Sequence, residues 1–197
     1  MIDANDPRLS PYEREIAAMR GDFRFKSDAD ALACCALGLV EEIEEARFAM
    51  AVADERAWTS RSTGARDNVL CELGDVIWYA TTALHRLDQH AMQAARVADE
   101  RAWQWQADSL TDLQARGAEF AGLVKKALFH ERGIAFVQAK SLSVLGDCIV
   151  LVEACARRYC ATFGDVERAN IAKIRKRFPS GGFTAAEANA RADEAKG

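Results

Sequence analysis

An all-α fold, a bundle of helices, follows from three features of this sequence. Apolar residues recur every three or four positions along most of its 197 residues, only 3 Pro and 12 Gly interrupt them, and alanine and charged residues are plentiful while β-branched residues rarely cluster. No segment reads as a strand. Half of the residues are hydrophobic, enough for a sizeable core, and the length suits a single domain over 1–197, or two small repeats, better than several domains.

A short helix is expected over Tyr12 to Met19, broken by Gly21-Asp22, after which Ser27 or Asp28 can cap a long second helix. In that second helix Leu32, Cys35, Leu39, Ile43, Ala46 and Met50 fall on one face. The polar stretch Thr59 to Asp67 separates it from a third helix, whose stripe is Leu70, Leu73, Ile77, Ala80, Leu84 and Leu87. The two should pack antiparallel. The segment His90 to Gln106 reads as helical with poor periodicity. Ser109 with Asp112 resembles a capping pair that opens a helix running to about His130 and ended by Gly133. Leu142 to Cys160 supplies another helical stripe. Asp165 is expected to cap a last helix that stops near Phe178, because Pro179 disfavours helical geometry in the residue before it. The Ala-rich tail from Thr184 reads as helical or frayed.

A net charge of −4 gives no general attraction to nucleic acid or anionic membranes, although Lys173 to Arg177 is locally basic, so a phosphate partner would have to be bound locally. The amino terminus lacks an apolar segment and no apolar stretch approaches membrane-spanning length, which makes a cytoplasmic protein the expectation. Six cysteines (Cys34, Cys35, Cys71, Cys148, Cys155 and Cys160) lie inside apolar helical patterns rather than at zinc-site spacings, and read as small core residues.

The chemistry is carried by two acidic segments. Glu41-Glu42-Ile43-Glu44-Glu45 lies on the second helix and Glu72-Leu73-Gly74-Asp75 on the third. Residues three apart are neighbours on a helix surface, so Glu42 with Glu45, and Glu72 with Asp75, each present a carboxylate pair beside the core stripe. Antiparallel packing would bring the four together, and a divalent cation would relieve their repulsion. Oxygen ligands without histidine suit Mg²⁺ or Mn²⁺. A di-iron bundle fits less well, since neither Glu42 nor Glu72 has a histidine three positions on.

These segments resemble a known family, the MazG-like all-α nucleoside triphosphate pyrophosphohydrolases. Residues 36–45 are similar to that family's Glu-Glu-x-x-Glu helix, residues 72–79 to its Glu-x-x-Asp helix, and residues 170–179 with Gly182-Phe183 to its closing basic helix. The closing motif stands farther from Asp75 than in a single-repeat relative, and an internal repeat accounts for the excess length. Residues 119–130 resemble the first metal helix running into its lysine segment, and Val144-Leu145-Gly146-Asp147 takes the place of the second. Glu45 corresponds to Glu119 at an offset of 74 and Asp75 to Asp147 at 72. The expected organisation is therefore two fused repeats, about 28–100 with the metal site and about 109–183 with a degenerate one. In the second, Arg116 replaces Glu42 and Val144 replaces Glu72.

The resemblance implies cleavage of a nucleoside triphosphate to a monophosphate and pyrophosphate. Glu42, Glu45, Glu72 and Asp75 would hold Mg²⁺, or Mn²⁺ in its place, with Glu41 or Glu42 as proton acceptor. Asn170, Lys173 and Arg177 share one face of the last helix and would meet substrate, with weaker support for Lys126 and for Trp78 as a stacking surface. A monomer or homodimer is expected. The competing expectation is a helical nucleotide- or protein-binding module that keeps the fold without catalysis.

Overall fold

A computed structural model of the chain describes residues 5–19, 25, 27–57, 63–99, 109–130 and 132–179, and the described residues are organised as helices without strands. The helices are α1 (Pro11–Met19), α2 (Asp28–Ala57), α3 (Thr63–Arg86), α4 (Ala91–Asp99), α5 (Ser109–Phe129), α6 (Ile134–Arg157) and α7 (Phe163–Arg177). The tail from Thr184 lies outside the described residues.

The predicted stripes are the core. Leu32, Cys35, Leu39, Ile43, Ala46 and Met50 of α2 are all buried, as are Leu70, Leu73, Ile77, Ala80, Leu84 and Leu87 along α3 and just beyond it. Ser27 opens α2, its Oγ accepting from the Asp30 amide at 3.1 Å. Three boundaries depart from expectation. Helix α3 begins at Thr63, inside the polar stretch expected as a break, whereas the part of the segment His90 to Gln106 beyond Asp99, the last residue of α4, lies outside the described residues. Gly133 does not end α5; with φ 71° it precedes α6, which starts at Ile134, eight residues before the expected stripe. The cap of α7 is Thr162 rather than Asp165: the threonine side chain accepts from the Asp165 amide, and the Asp165 carboxylate accepts from Thr162 in return. Helix α6 also corrects the expectation about apolar length. By length and composition it could cross a membrane, its most apolar window having mean hydropathy 1.6, and half of that window is buried inside the protein.

Helices α2 and α3 pack antiparallel, with Gly38 facing Tyr79 while Glu45 faces Glu72. The hairpin α5–α6 packs across them, α5 on α2 and α6 on α3. The shorter helices then cross over. Helix α4 follows α3 but packs chiefly on α6, and α7 follows α6 but packs chiefly on α3. Glycines allow both close approaches: a Cβ on Gly74 would lie 2.6 Å from the Asn170 Cβ, and one on Gly146 would run into the Ala94 backbone carbonyl. Between the hairpins, Gly117 leaves room for Ile43, whose Cδ1 would be 2.5 Å from an added Cβ. Helix α1 touches both α3 and α7. The cysteines divide: Cys35, Cys148 and Cys155 are buried as expected, whereas Cys34 and Cys71 are half-buried and Cys160 is exposed, and all six are free thiols.

Candidate functional site

Helices α2, α3 and α7 enclose a cleft of about 1000 Å³, lined on α2 and α3 by Glu41, Glu42, Glu45, Glu72, Asp75 and Tyr79 and on α7 by Lys173, Lys176 and Arg177. Helical spacing places the acids here. Glu42 and Glu45 are one turn apart on α2, Glu72 and Asp75 one turn apart on α3, and the antiparallel crossing sets the pairs opposite each other. One oxygen each from Glu42, Glu45 and Glu72 lie within 4.8 Å of one another.

The carboxylates are not equivalent. Lys173 Nζ donates to Glu72 Oε2 at 2.9 Å and to Asp75 Oδ2 at 2.6 Å, neutralising part of the charge on α3. Asp75 also accepts from Asn170 Nδ2 at 2.7 Å, so both its oxygens are engaged. Burial raises the Asp75 carboxyl above its ordinary range despite the lysine beside it. Burial likewise works against the Lys173 ammonium, but Asp75 and Glu72 more than offset it and hold its pKa above the usual lysine value. Glu42 is the exposed nerve of the cluster. Burial and the nearby Asp75 and Glu45 push its carboxyl up to about 8, and its Oε2 is buried with no hydrogen-bond partner among the described residues.

That orphaned oxygen is the test of whether a cation fits. A buried carboxyl oxygen needs a donor, a proton of its own or a metal, and the groups around Glu42 are mainly other acceptors. The donor set is carboxylate oxygen, which suits a hard divalent cation such as Mg²⁺ or Mn²⁺.

Not every sequence-predicted residue faces this cleft. Asn170 does not point at solvent: it is fully buried, and besides Asp75 it accepts from the Tyr12 hydroxyl at 2.8 Å. It donates to a carboxylate and is not among the residues that line the cleft. Lys126 is exposed near the end of α5 and does not line the cleft. Trp78 packs against the core and meets Tyr79 edge to face at 4.8 Å, and it is Tyr79 that lines the cleft. Tyr79 was legible by spacing, being four residues after Asp75 on the same helix face. Tyr12 carried no such signal.

The α5–α6 hairpin carries a different arrangement of charge. Arg116 on α5 pairs with Glu119, and its Nε lies 3.4 Å from Oδ2 of Asp147, which is buried on α6. The guanidinium there is contributed by α5 itself, whereas the cation beside Glu72 and Asp75 comes from α7. In comparisons with known protein families, curated proteins and solved structures, nothing matches this chain.

Proposed function

We propose that the chain is a divalent-cation-dependent nucleoside triphosphate pyrophosphohydrolase of the MazG-like kind, built from two fused repeats whose closing helices have changed places. The observation that carries this reading is the seating of α7 on α3, which puts Lys173 against Glu72 and Asp75 beside the under-neutralised Glu42. An acidic cluster and a cationic helix meeting in one open cleft are what a metal–triphosphate requires.

The repeat reading has support beyond composition. Ile43 and Gly117, which correspond at the offset of 74 between the acidic helices, pack on each other, as equivalent residues do beside a two-fold axis. Gly74 and Gly146 correspond at the offset of 72, and each receives the closing helix from the other half.

Glu42, Glu45, Glu72 and Asp75 would hold Mg²⁺ or Mn²⁺, which when bound neutralises phosphate oxygens and acidifies a water. Lys173, Lys176 and Arg177 would pair with the remaining phosphate charge and hold the triphosphate across the cleft mouth. Glu41, exposed in the cleft, or Glu42, with its raised proton affinity, would accept the proton as water oxygen bonds to the α-phosphorus. The bond from that phosphorus to the bridging oxygen breaks, and pyrophosphate leaves with the electron pair. Tyr79, on the same face as Asp75, borders the cleft where the rest of the nucleotide would extend.

The test is pyrophosphate release from canonical and modified nucleoside triphosphates with Mg²⁺ or Mn²⁺, for the native chain and for Glu42→Gln and Asp75→Asn. Metal-dependent release that both substitutions abolish is expected. A folded native chain that releases none from any nucleotide overturns the hydrolase reading in favour of a binding module.

A further inference from the structure

Helix α1 lies outside both expected repeats, yet it reaches the acidic cluster through a buried chain of hydrogen bonds. Tyr12 is buried, and burial together with Asp75 holds its phenol protonated far above the usual range. Its hydroxyl donates to Asn170 Oδ1 at 2.8 Å, and the Asn170 amide donates in turn to Asp75 Oδ1 at 2.7 Å. A carboxylate can only accept, so Asp75 fixes which end of the amide faces it, and the phenol satisfies the other end.

The surroundings leave Asn170 little freedom. Its Cβ sits against bare backbone at Gly74, where an added Cβ would be 2.6 Å away, so α3 closes one side. Tyr12 closes another. Tyr12 is itself anchored, because the next residue, Glu13, is buried with its carboxylate accepting from the Ser10 amide at 2.9 Å and the Ala91 amide at 2.8 Å, and 3.3 Å from His85 Nε2. Leu9 and Ile16 are buried on the same helix. A rigid α1 thus bears on Asn170, and Asn170 bears on Asp75.

From this we infer that Tyr12 is a positioning residue for the metal site, acting through Asn170 to hold the Asp75 carboxylate in the orientation that completes the cation cluster. The inference rests on the metal-binding part of the function proposed above. Partners that orient metal ligands are typically worth about 10- to 100-fold in metal affinity. Removal of one hydroxyl two bonds back along the chain is expected to fall near the lower figure.

The experiment titrates Mn²⁺ into the full chain and into Tyr12→Phe, Asn170→Ala and the double variant, following bound and free Mn²⁺ by its paramagnetic resonance signal and confirming folding by circular dichroism. Tyr12→Phe should weaken Mn²⁺ binding roughly 10-fold. In the Asn170→Ala background the same substitution should change Mn²⁺ affinity less than two-fold, because the link is already cut, a non-additivity that a general loss of packing does not produce. A folded Tyr12→Phe chain that binds Mn²⁺ like the native one, or effects of the two substitutions that multiply, overturns the positioning role while leaving the metal site standing. A native chain that binds no Mn²⁺ overturns the metal reading and this inference with it. Should Tyr12→Phe fail to fold, Asn170→Ala alone decides: undiminished Mn²⁺ binding refutes the chain of influence, and weakened binding supports it.

Discussion

Replacing Glu42 by Gln should make the metal-free protein more stable and the metal-loaded protein no more stable than that. In the unfolded chain a glutamate carboxyl titrates at 4.5, whereas in the folded chain burial, Asp75 and Glu45 hold Glu42 up to about 8. The folded state therefore binds the extra proton between those values, and stability falls as pH rises through that window. The penalty is absent below pH 4.5, reaches about 3 kcal/mol at pH 7, and levels off near 5 kcal/mol above pH 8. These are upper limits, because the half-buried carboxyl is partly screened by water in the cleft. Glutamine has the same shape and carries no proton to lose. Urea unfolding in EDTA should accordingly show native and Glu42→Gln chains converging near pH 5 and the variant pulling ahead by pH 8. With Mg²⁺ at a hundred times its dissociation constant, the native chain should gain about 2.7 kcal/mol, and the variant little. Equal stability of the two chains in EDTA at pH 8 would refute the account of Glu42 as a charge held in place at the expense of the fold.

Other substitutions probe separate parts of the same architecture. Glu13 has the opposite sign: burial resists its ionisation, but hydrogen bonds from His85, Ser10 and Ala91 outweigh that and bring it down to about 2, so its contribution is full above pH 4.5 and disappears as pH falls toward 2. Urea titrations should show Glu13→Gln less stable than the native chain by about 3 kcal/mol at pH 7, with the gap closed near pH 2; a gap independent of pH would count against it. Arg116→Leu should cost about 2–4 kcal/mol by leaving the buried Asp147 carboxylate without its guanidinium, and Asp147→Asn in the same chain should recover part of that loss; denaturation curves showing no recovery would argue against the pairing. Gly146→Ala should destabilise by about 1–3 kcal/mol by forcing α4 off α6, without changing Mn²⁺ affinity of the folded chain, whereas Gly74→Ala should also weaken Mn²⁺ binding, because the group it displaces is Asn170.

The contrast between those two glycines marks how far the sequence could be read. The stripes of α2 and α3 were legible because burial of one helix face imposes a period that any long amphipathic helix must show. The carboxylate pairs were legible for the same reason, since Glu42 with Glu45 and Glu72 with Asp75 are each separated by one turn. The early start of α6 was hidden because Gly133 looks like a terminator from either side, and only its positive φ and the helix that follows settle which. Tyr12 was hidden because its contact with Asn170 spans 158 positions and involves residues that look ordinary where they stand. The burial of Asn170 between Tyr12 and Asp75 was hidden as well: spacing fixes which residues share a face, but not whether that face meets water or another helix.

The crossing over of α4 onto α6 and of α7 onto α3 was likewise beyond the reach of periodicity, and on the proposed reading of two fused repeats it bears on why the two hairpins differ. Each carries an aspartate at positions that correspond on that reading, the partly buried Asp75 on α3 and the buried Asp147 on α6, and each has a cation close by. At the first, α7 arrives over Gly74 and brings Lys173. At the second, α4 arrives over Gly146 and brings Ala94, which offers no charge. There the cation comes from within the hairpin as Arg116, at the position where α2 carries Glu42. The arginine pairs with both Asp147 and Glu119 and so places positive charge between them. With its lysine supplied by α7, the first hairpin keeps Glu42 beside Glu45 and Glu72, and under the proposed function the negative charge that remains there is what a divalent cation would neutralise. On the proposed reading, the asymmetry of the site thus follows from which helix packs on each hairpin, α7 on the first and α4 on the second.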